Sequence, residues 1–263
     1  MMRITPSLKG SAGLTLIELL CVVAIITVLA ALLVPAISSV NASARASKCV
    51  ANLKHIGAAV YLYIGDNDGY LPTSVASPVP SDPNSPVSIF WFSELDTYAH
   101  CPRANPQATT NPAFPATDSV FFCPAANPLK QWVGSQPDYA CNERDSSSPG
   151  APGVFSRAAI GWGENVSAIK LSMVRKPSLC LMVADGYDGK SVVNGSWLAP
   201  LTLPSPITAA LPPGFAPRHG YNGKDARTGK FGALFCDGHV EMFSYGDPRL
   251  LDATFRQDFL IPF

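Results

Sequence analysis

Hydrophobic and polar positions fall into three regimes along the chain, and each predicts a different element. Residues 14–37 are almost continuously apolar: 20 of 24 positions, the exceptions being Thr15, Glu18, Thr27 and Pro35. No charge follows Glu18 until Arg45. At about 1.5 Å per residue, residues 14–34 make a helix about 30 Å long, one bilayer core in thickness. The run is too long for the apolar part of a secretory signal peptide, although Ala30-Ala31 offers a small-residue cut site. A carboxylate inside such a run costs several kcal/mol unless it is paired, so Glu18 is a candidate functional residue.

The pattern then becomes amphipathic. Cys49, Leu53, Ile56, Val60 and Ile64 recur at spacings of three and four, one face of a continuing helix. Pro35 removes one backbone donor and predicts a bend between the two halves. Gly65-Asp66-Asn67-Asp68-Gly69 ends the helix with turn-forming residues. Fourteen of the 25 prolines lie from Pro72 to Pro152, so long helices are excluded there and loops predominate. Strand patterns follow. Residues 178–184 are an apolar run closed by Asp185-Gly186, and two apolar runs, 232–236 and 239–243, flank Asp237-Gly238. That arrangement predicts a hairpin with a type I′ turn and positive φ at both central residues. Residues 191–217 read as a second Pro-rich loop, and the apolar 255–263 as a segment docked on the domain.

The start of the chain, Gly13-Leu14-Thr15-Leu16-Ile17-Glu18, resembles the prepilin signal of type IV pilins and type II secretion pseudopilins. A short basic leader with Arg3 and Lys9 ends in Gly13, and Glu18 is the fifth residue from Leu14. Leu14 stands where Phe or Met is usual, and Pro35 falls where such helices carry a kink-forming proline. The resemblance implies cleavage after Gly13 by a prepilin peptidase and methylation of the new amine. It also implies assembly through Glu18, paired with the amine of a neighbouring subunit. A single-pass inner-membrane protein follows, with its N-terminus inside and its globular part periplasmic or extracellular. The basic residues do not decide that orientation, because Arg45, Lys48 and Lys54 follow the helix just as Arg3 and Lys9 precede it.

A second resemblance runs further. Cys49-Val50-Ala51-Asn52-Leu53-Lys54-His55-Ile56-Gly57, then Tyr61, Tyr63 and Asp66-Asn67-Asp68-Gly69-Tyr70-Leu71-Pro72, is similar to a signature of prepilin-like proteins abundant in planctomycetes, verrucomicrobia and lentisphaerae. Phe122-Cys123-Pro124, Tyr139-Ala140-Cys141-Asn142 and His219…Asp237-Gly238-His239 fill that family's later motifs, with seventeen residues between His219 and Asp237 where the family has about nine. The expected fold is α+β and pilin-like: a leader (1–13), an assembly helix (14–37), its amphipathic continuation (38–64) and a globular domain (65–263) built on an antiparallel sheet with long loops.

Composition narrows the chemistry. Lys plus Arg and Asp plus Glu both number 19, so the 263-residue chain has no net charge and no basic footprint for nucleic acid. Removing the leader would take away Arg3 and Lys9 and leave a formal charge of −2. Cys21 lies in the apolar run, and six further cysteines are available for disulfides outside the cytoplasm. Cys101, Cys123 and Cys141 cluster in the Pro-rich stretch, and Cys123 paired with Cys101 or Cys141 is the favoured crosslink. Buried thiols are the competing reading, which suits Cys180 and Cys236. Asp237, His219 and His239 are candidate cation ligands, set against ordinary turn chemistry at the hairpin. Asp66, Asn67 and Asp68 lack the closing Glu of a calcium loop, and no motif places a Ca2+ site. No cofactor is expected, and no nucleophile elbow, His-Glu-x-x-His or phosphate loop marks an enzyme. The alternative function is a membrane-anchored binding module for glycan or protein, in which Trp91, Phe92, Trp132, Trp162 and Trp197 would be contact residues if exposed.

Overall fold

The computed structural model describes residues 15–77, 89–101, 119–126, 137–144, 153–159, 164–165, 169–186, 192–193, 215, 217–220, 228–244 and 246–260. Gly13, Leu14, Trp132, Trp162, Trp197 and most of 191–217 lie outside them. The chain divides into two units, between Ala42 and Ser43.

Helix α1 (Leu16–Asp66) is continuous through Pro35. In the first unit its apolar residues meet no protein. Leu16 is 83% exposed, Leu32 70% and Val40 67%. The hydroxyl of Thr27 donates to the Ala24 carbonyl at 2.8 Å, so a polar side chain in this run is satisfied within the helix.

In the second unit, Cys49, Leu53, Ile56, Val60 and Ile64 are all buried, the face that the 3–4 spacing predicts. The helix stops where the turn residues begin. The Gly69 N–H donates to the Ile64 carbonyl at 3.0 Å, and Asp68 takes the left-handed conformation at φ 51°. This is a Schellman-type end with Asp in the place usually taken by Gly.

The sheet runs β2 (Ile89–Phe90), β1 (Thr73–Ser77), β4 (Phe155–Ala159), β3 (Tyr139–Arg144), β6 (Leu181–Asp185), β8 (Lys230–Phe235) and β9 (Val240–Ser244). Strand β5 (Glu164–Asn165) pairs with β4, and β7 (Val192–Val193) with β3. The expected antiparallel sheet is its four-stranded core, β3-β6-β8-β9. Parallel pairs β1·β4, β3·β4 and β3·β7 extend it into a mixed sheet. Short strands separated by Pro-rich connections left no periodicity from which that extension was legible.

Both faces of the core sheet are covered. In β8, Leu234 faces the α1 side with Cys236 just beyond the strand, while Phe231, Ala233 and Phe235 face the other side. That second core gathers Phe215, Phe231, Phe235, Phe243 and Phe259, the last from helix α3 (Ala253–Leu260), so the C-terminal segment docks through Phe255 and Phe259. On the first side, α2 (Trp91–Glu94) buries Trp91 and Phe92. Neither aromatic is exposed for a partner: Trp91 packs edge-on against Phe92, Phe121 and Phe155.

The β8–β9 hairpin forms as expected, but its turn is not type I′. Only Gly238 has positive φ (89°), and Asp237 does not. The Gly238 N–H donates to the Phe235 carbonyl and the Phe235 N–H to the His239 carbonyl, both at 2.9 Å. The loop therefore has three residues, 236–238, a type I turn with a G1 bulge. Cys236 belongs to the turn rather than to the strand.

Candidate functional site

Two places concentrate chemistry. The first is the start of α1. Thr15 precedes the helix, and its backbone N–H and its hydroxyl donate to Glu18 Oε2 at 2.8 and 2.9 Å. The Glu18 N–H reaches the Thr15 hydroxyl oxygen at 3.3 Å. This is a capping box, in which Thr at the cap and Glu three residues on satisfy each other's backbone donors. The Thr15-x-x-Glu18 spacing carried that signal in the sequence, and reading Glu18 only as a charge in need of a partner passed over it. Both bonds of the box fall on Oε2. Glu18 is exposed, as are its neighbours along the helix.

The second is a buried polar junction inside the second unit. Cys49 of α1 is bonded to Cys123, at a sequence separation of 74 and with 5.3 Å between their Cα atoms. The expected partners of Cys123 were Cys101 and Cys141, and the structure corrects this. Cys141 sits buried in β3 and Cys101 follows the α2 segment, both as thiols, while α1 brings Cys49 alongside the 119–126 segment. Sequence proximity in the Pro-rich stretch was a poor guide because α1 packs against its 119–126 segment. A crosslink closing a loop of this length contributes about 4 kcal/mol on the chain-entropy account.

The motif residues that lie far apart in sequence gather round this bond. The Asn52 amide donates to the Phe122 carbonyl at 2.9 Å, and the Tyr139 hydroxyl to the Cys49 carbonyl at 3.5 Å. The Asn142 amide donates to the Leu181 carbonyl at 2.9 Å, and the Cys123 N–H to Asp138 Oδ2 at 2.9 Å. Arg218 spans the back of the junction. Its Nη1 is 3.3 Å from Asp138 Oδ1 and donates to the Asp138 carbonyl at 3.0 Å, and its Nη2 donates to the Gly186 carbonyl. Burial pushes the Asp138 carboxyl above its usual range, against the Arg218 guanidinium and the Cys123 N–H, which favour its charged form. Burial likewise holds the Tyr139 hydroxyl well above its ordinary value.

His219 belongs to this junction and not to the hairpin tip. Its Nε2 lies 3.1 Å from Asp185 Oδ2 and 3.8 Å from Cys123 Sγ. Asp185 Oδ2 also accepts from the Gly232 N–H at 2.6 Å. The side chains are 3% and 0% exposed, and Asp185 Oδ1 and His219 Nδ1 have no hydrogen-bond partner among the described residues.

The grouping of His219 with Asp237 and His239 is therefore corrected. His219 bridges Lys230 at the start of β8, whereas Asp237 follows its end, so a strand's length lies between them. Asp237 and His239 do meet, with Oδ1 and Nδ1 2.5 Å apart, but at an exposed turn where Asp237 Oδ1 also accepts the His239 N–H at 3.1 Å. The His239 ring stacks on Phe235, and Gly238 lies under Tyr61, whose hydroxyl donates to the Cys236 carbonyl at 2.7 Å. The hairpin tip thus clamps α1.

Neither a curated protein nor a solved structure matches the chain. Residues 8–34 match the family model described as the prokaryotic N-terminal methylation motif, about a tenth of the chain. The apolar part of α1 is long enough to cross a membrane once and fits a single-pass anchor. Together, the motif and the helix behind it support a type IV pilin-like protein, processed by a prepilin peptidase.

Proposed function

We propose that this chain is a structural subunit of a type IV pilus-like or type II secretion pseudopilus assembly. It enters the inner membrane as a precursor with its N-terminus inside and is cut between Gly13 and Leu14. Other pilin or pseudopilin subunits then pack against its first helix, and the globular domain stands on the far side of the membrane. The observation that carries this reading is the methylation motif at 8–34 running into a helix whose apolar side chains are exposed all round. A helix apolar on every face needs lipid or like helices to cover it.

The Glu18 carboxylate is the one charge in that helix between residues 16 and 44, and it pairs with the amine that cleavage creates on a neighbouring subunit. In lipid the pair offsets part of the cost of each charge, which favours subunits in one register. The mechanism is assembly, and catalysis has no part in it. Intact-mass measurement of the protein purified from membranes tests the first step. A mature chain beginning at Leu14 is expected, heavier by one methyl group where the amine is modified. Any other N-terminus, such as one after Ala30-Ala31, overturns the reading.

A further inference from the structure

We propose that Cys49, Cys123 and His219 form a three-ligand metal site, of the kind that holds Zn2+ with a fourth position left open, whenever the Cys49–Cys123 disulfide is reduced. The two sulfurs and His219 Nε2 lie within 4.8 Å of one another, all three residues buried. Bonds of about 2.3 Å to sulfur and about 2.0–2.1 Å to nitrogen separate tetrahedral nitrogen and sulfur ligands by about 3.6 Å. The structure has 3.8 Å from His219 Nε2 to Cys123 Sγ. The sulfurs must part to about 3.8 Å, within reach of side-chain rotation at a Cα separation of 5.3 Å.

Asp185 Oδ2, held by the Gly232 N–H, sets a buried carboxyl 3.1 Å from the ring nitrogen that would ligate, an outer partner beside the site. A carboxyl 0% exposed beside an imidazole 3% exposed is a costly arrangement that a cation held at Nε2 relieves in part.

The chemistry balances with a dithiol reductant. That reagent closes to its own cyclic disulfide and delivers two electrons and two protons to the Cys49–Cys123 bond. The metal then displaces both thiol protons to solvent, and the neutral imidazole carries its proton on Nδ1. The junction between α1 and the 119–126 segment therefore has two exclusive closures, a covalent one under oxidising conditions and a metal one under reducing conditions.

Cobalt(II) is the probe, added to the full chain in detergent micelles before and after anaerobic reduction. The reduced chain should take up one cobalt with thiolate charge-transfer and tetrahedral d–d absorption, and the disulfide form none at this site. His219→Ala should weaken uptake at least tenfold and change the d–d bands. A reduced chain that keeps its circular dichroism and takes up no cobalt overturns the proposal, as does uptake unchanged in affinity and spectrum by His219→Ala. Where reduction alone unfolds the domain, cobalt must restore its circular dichroism and cooperative melting, and failure to do so is equally decisive.

Discussion

Glu18 has two roles that a single substitution confounds, because the same carboxylate caps its own helix and carries the charge proposed for assembly. Glu18→Ala removes both, with about 1 kcal/mol of helix stability lost through the cap. Glu18→Gln keeps an oxygen that can accept the Thr15 N–H and removes only the charge. Membrane insertion and cleavage should survive in Glu18→Gln, while filament or pseudopilus yield, read by shearing and immunoblot, should fall as it does in Glu18→Ala. Normal assembly of the Gln variant would reduce Glu18 to a capping residue.

A second carboxylate sets a pH dependence in the globular unit. Glu94 accepts from the Thr73 N–H at 2.9 Å and from the Thr73 hydroxyl at 2.6 Å, tying α2 to β1. Burial nevertheless raises its pKa above the ordinary 4.5, outweighing the hydrogen bonds from Thr73 and Tyr63 that favour the charged form. A carboxyl with a raised folded pKa binds more protons folded than unfolded. Its contribution is therefore best below pH 4.5 and is lost as pH rises through the folded value. Glu94→Gln lacks this titration, so the melting-temperature advantage of the native chain over that variant should shrink from pH 4 towards pH 7, about the range that a raised carboxylate pKa spans. An advantage that grows over that range would reverse the sign assigned to the group.

At the scale of elements, the contact that matters is α1 against the core sheet, and Gly232 sets its closeness. A Cβ there would lie 2.6 Å from Leu53 Cδ1 and 3.4 Å from both Asp185 Oδ2 and the Met242 sulfur. Gly232→Ala should cost about 1–3 kcal/mol as overpacking, and Leu53→Ala about 2–5 kcal/mol as a cavity. In the double variant the new methyl occupies space that Leu53 vacates. Chemical denaturation should give a combined loss smaller than the sum by at least about 0.5 kcal/mol. Simple additivity would mean that the two residues do not share the space.

This helix was the most legible part of the fold. Its apolar run and its 3–4 stripe are local periodicities, and all five positions of that stripe are buried. The hairpin was legible for the same reason, since Asp237-Gly238 is a local signal. Its turn type was not, because Asp-Gly serves a G1 bulge as readily as a type I′ turn and the choice follows the register of the strands. The disulfide partner and the place of His219 were the least legible. Both depend on which residues α1 and β8 carry across one another, and no spacing within either element records that. Residues 78–88 and 102–118, where proline removes periodicity, lie outside the described structure.

At the scale of the molecule, the open question is whether the apolar half of α1 serves an assembly or one solitary anchor, and symmetry separates the two. A pair related by a two-fold axis presents the same patch twice and stops at a dimer, whereas a head-to-tail contact that does not close grows into a helical filament. The chain already carries a probe, since Cys21 is exposed on this helix. Leu32, 70% exposed, lies eleven residues further on. At about 100° per residue that separation returns to nearly the same face, about 16 Å along the axis. Oxidation of the native chain in membranes can therefore give at most dimers through Cys21. A Leu32→Cys variant has two reactive positions, so a head-to-tail array should yield a ladder of trimers and larger species on non-reducing gels. A solitary anchor, or a two-fold dimer, should stop at two chains even with both cysteines present. Adding Glu18→Gln to Leu32→Cys should collapse the ladder if the Glu18 charge sets the register. A ladder that survives that change would mean that helix packing alone holds the subunits.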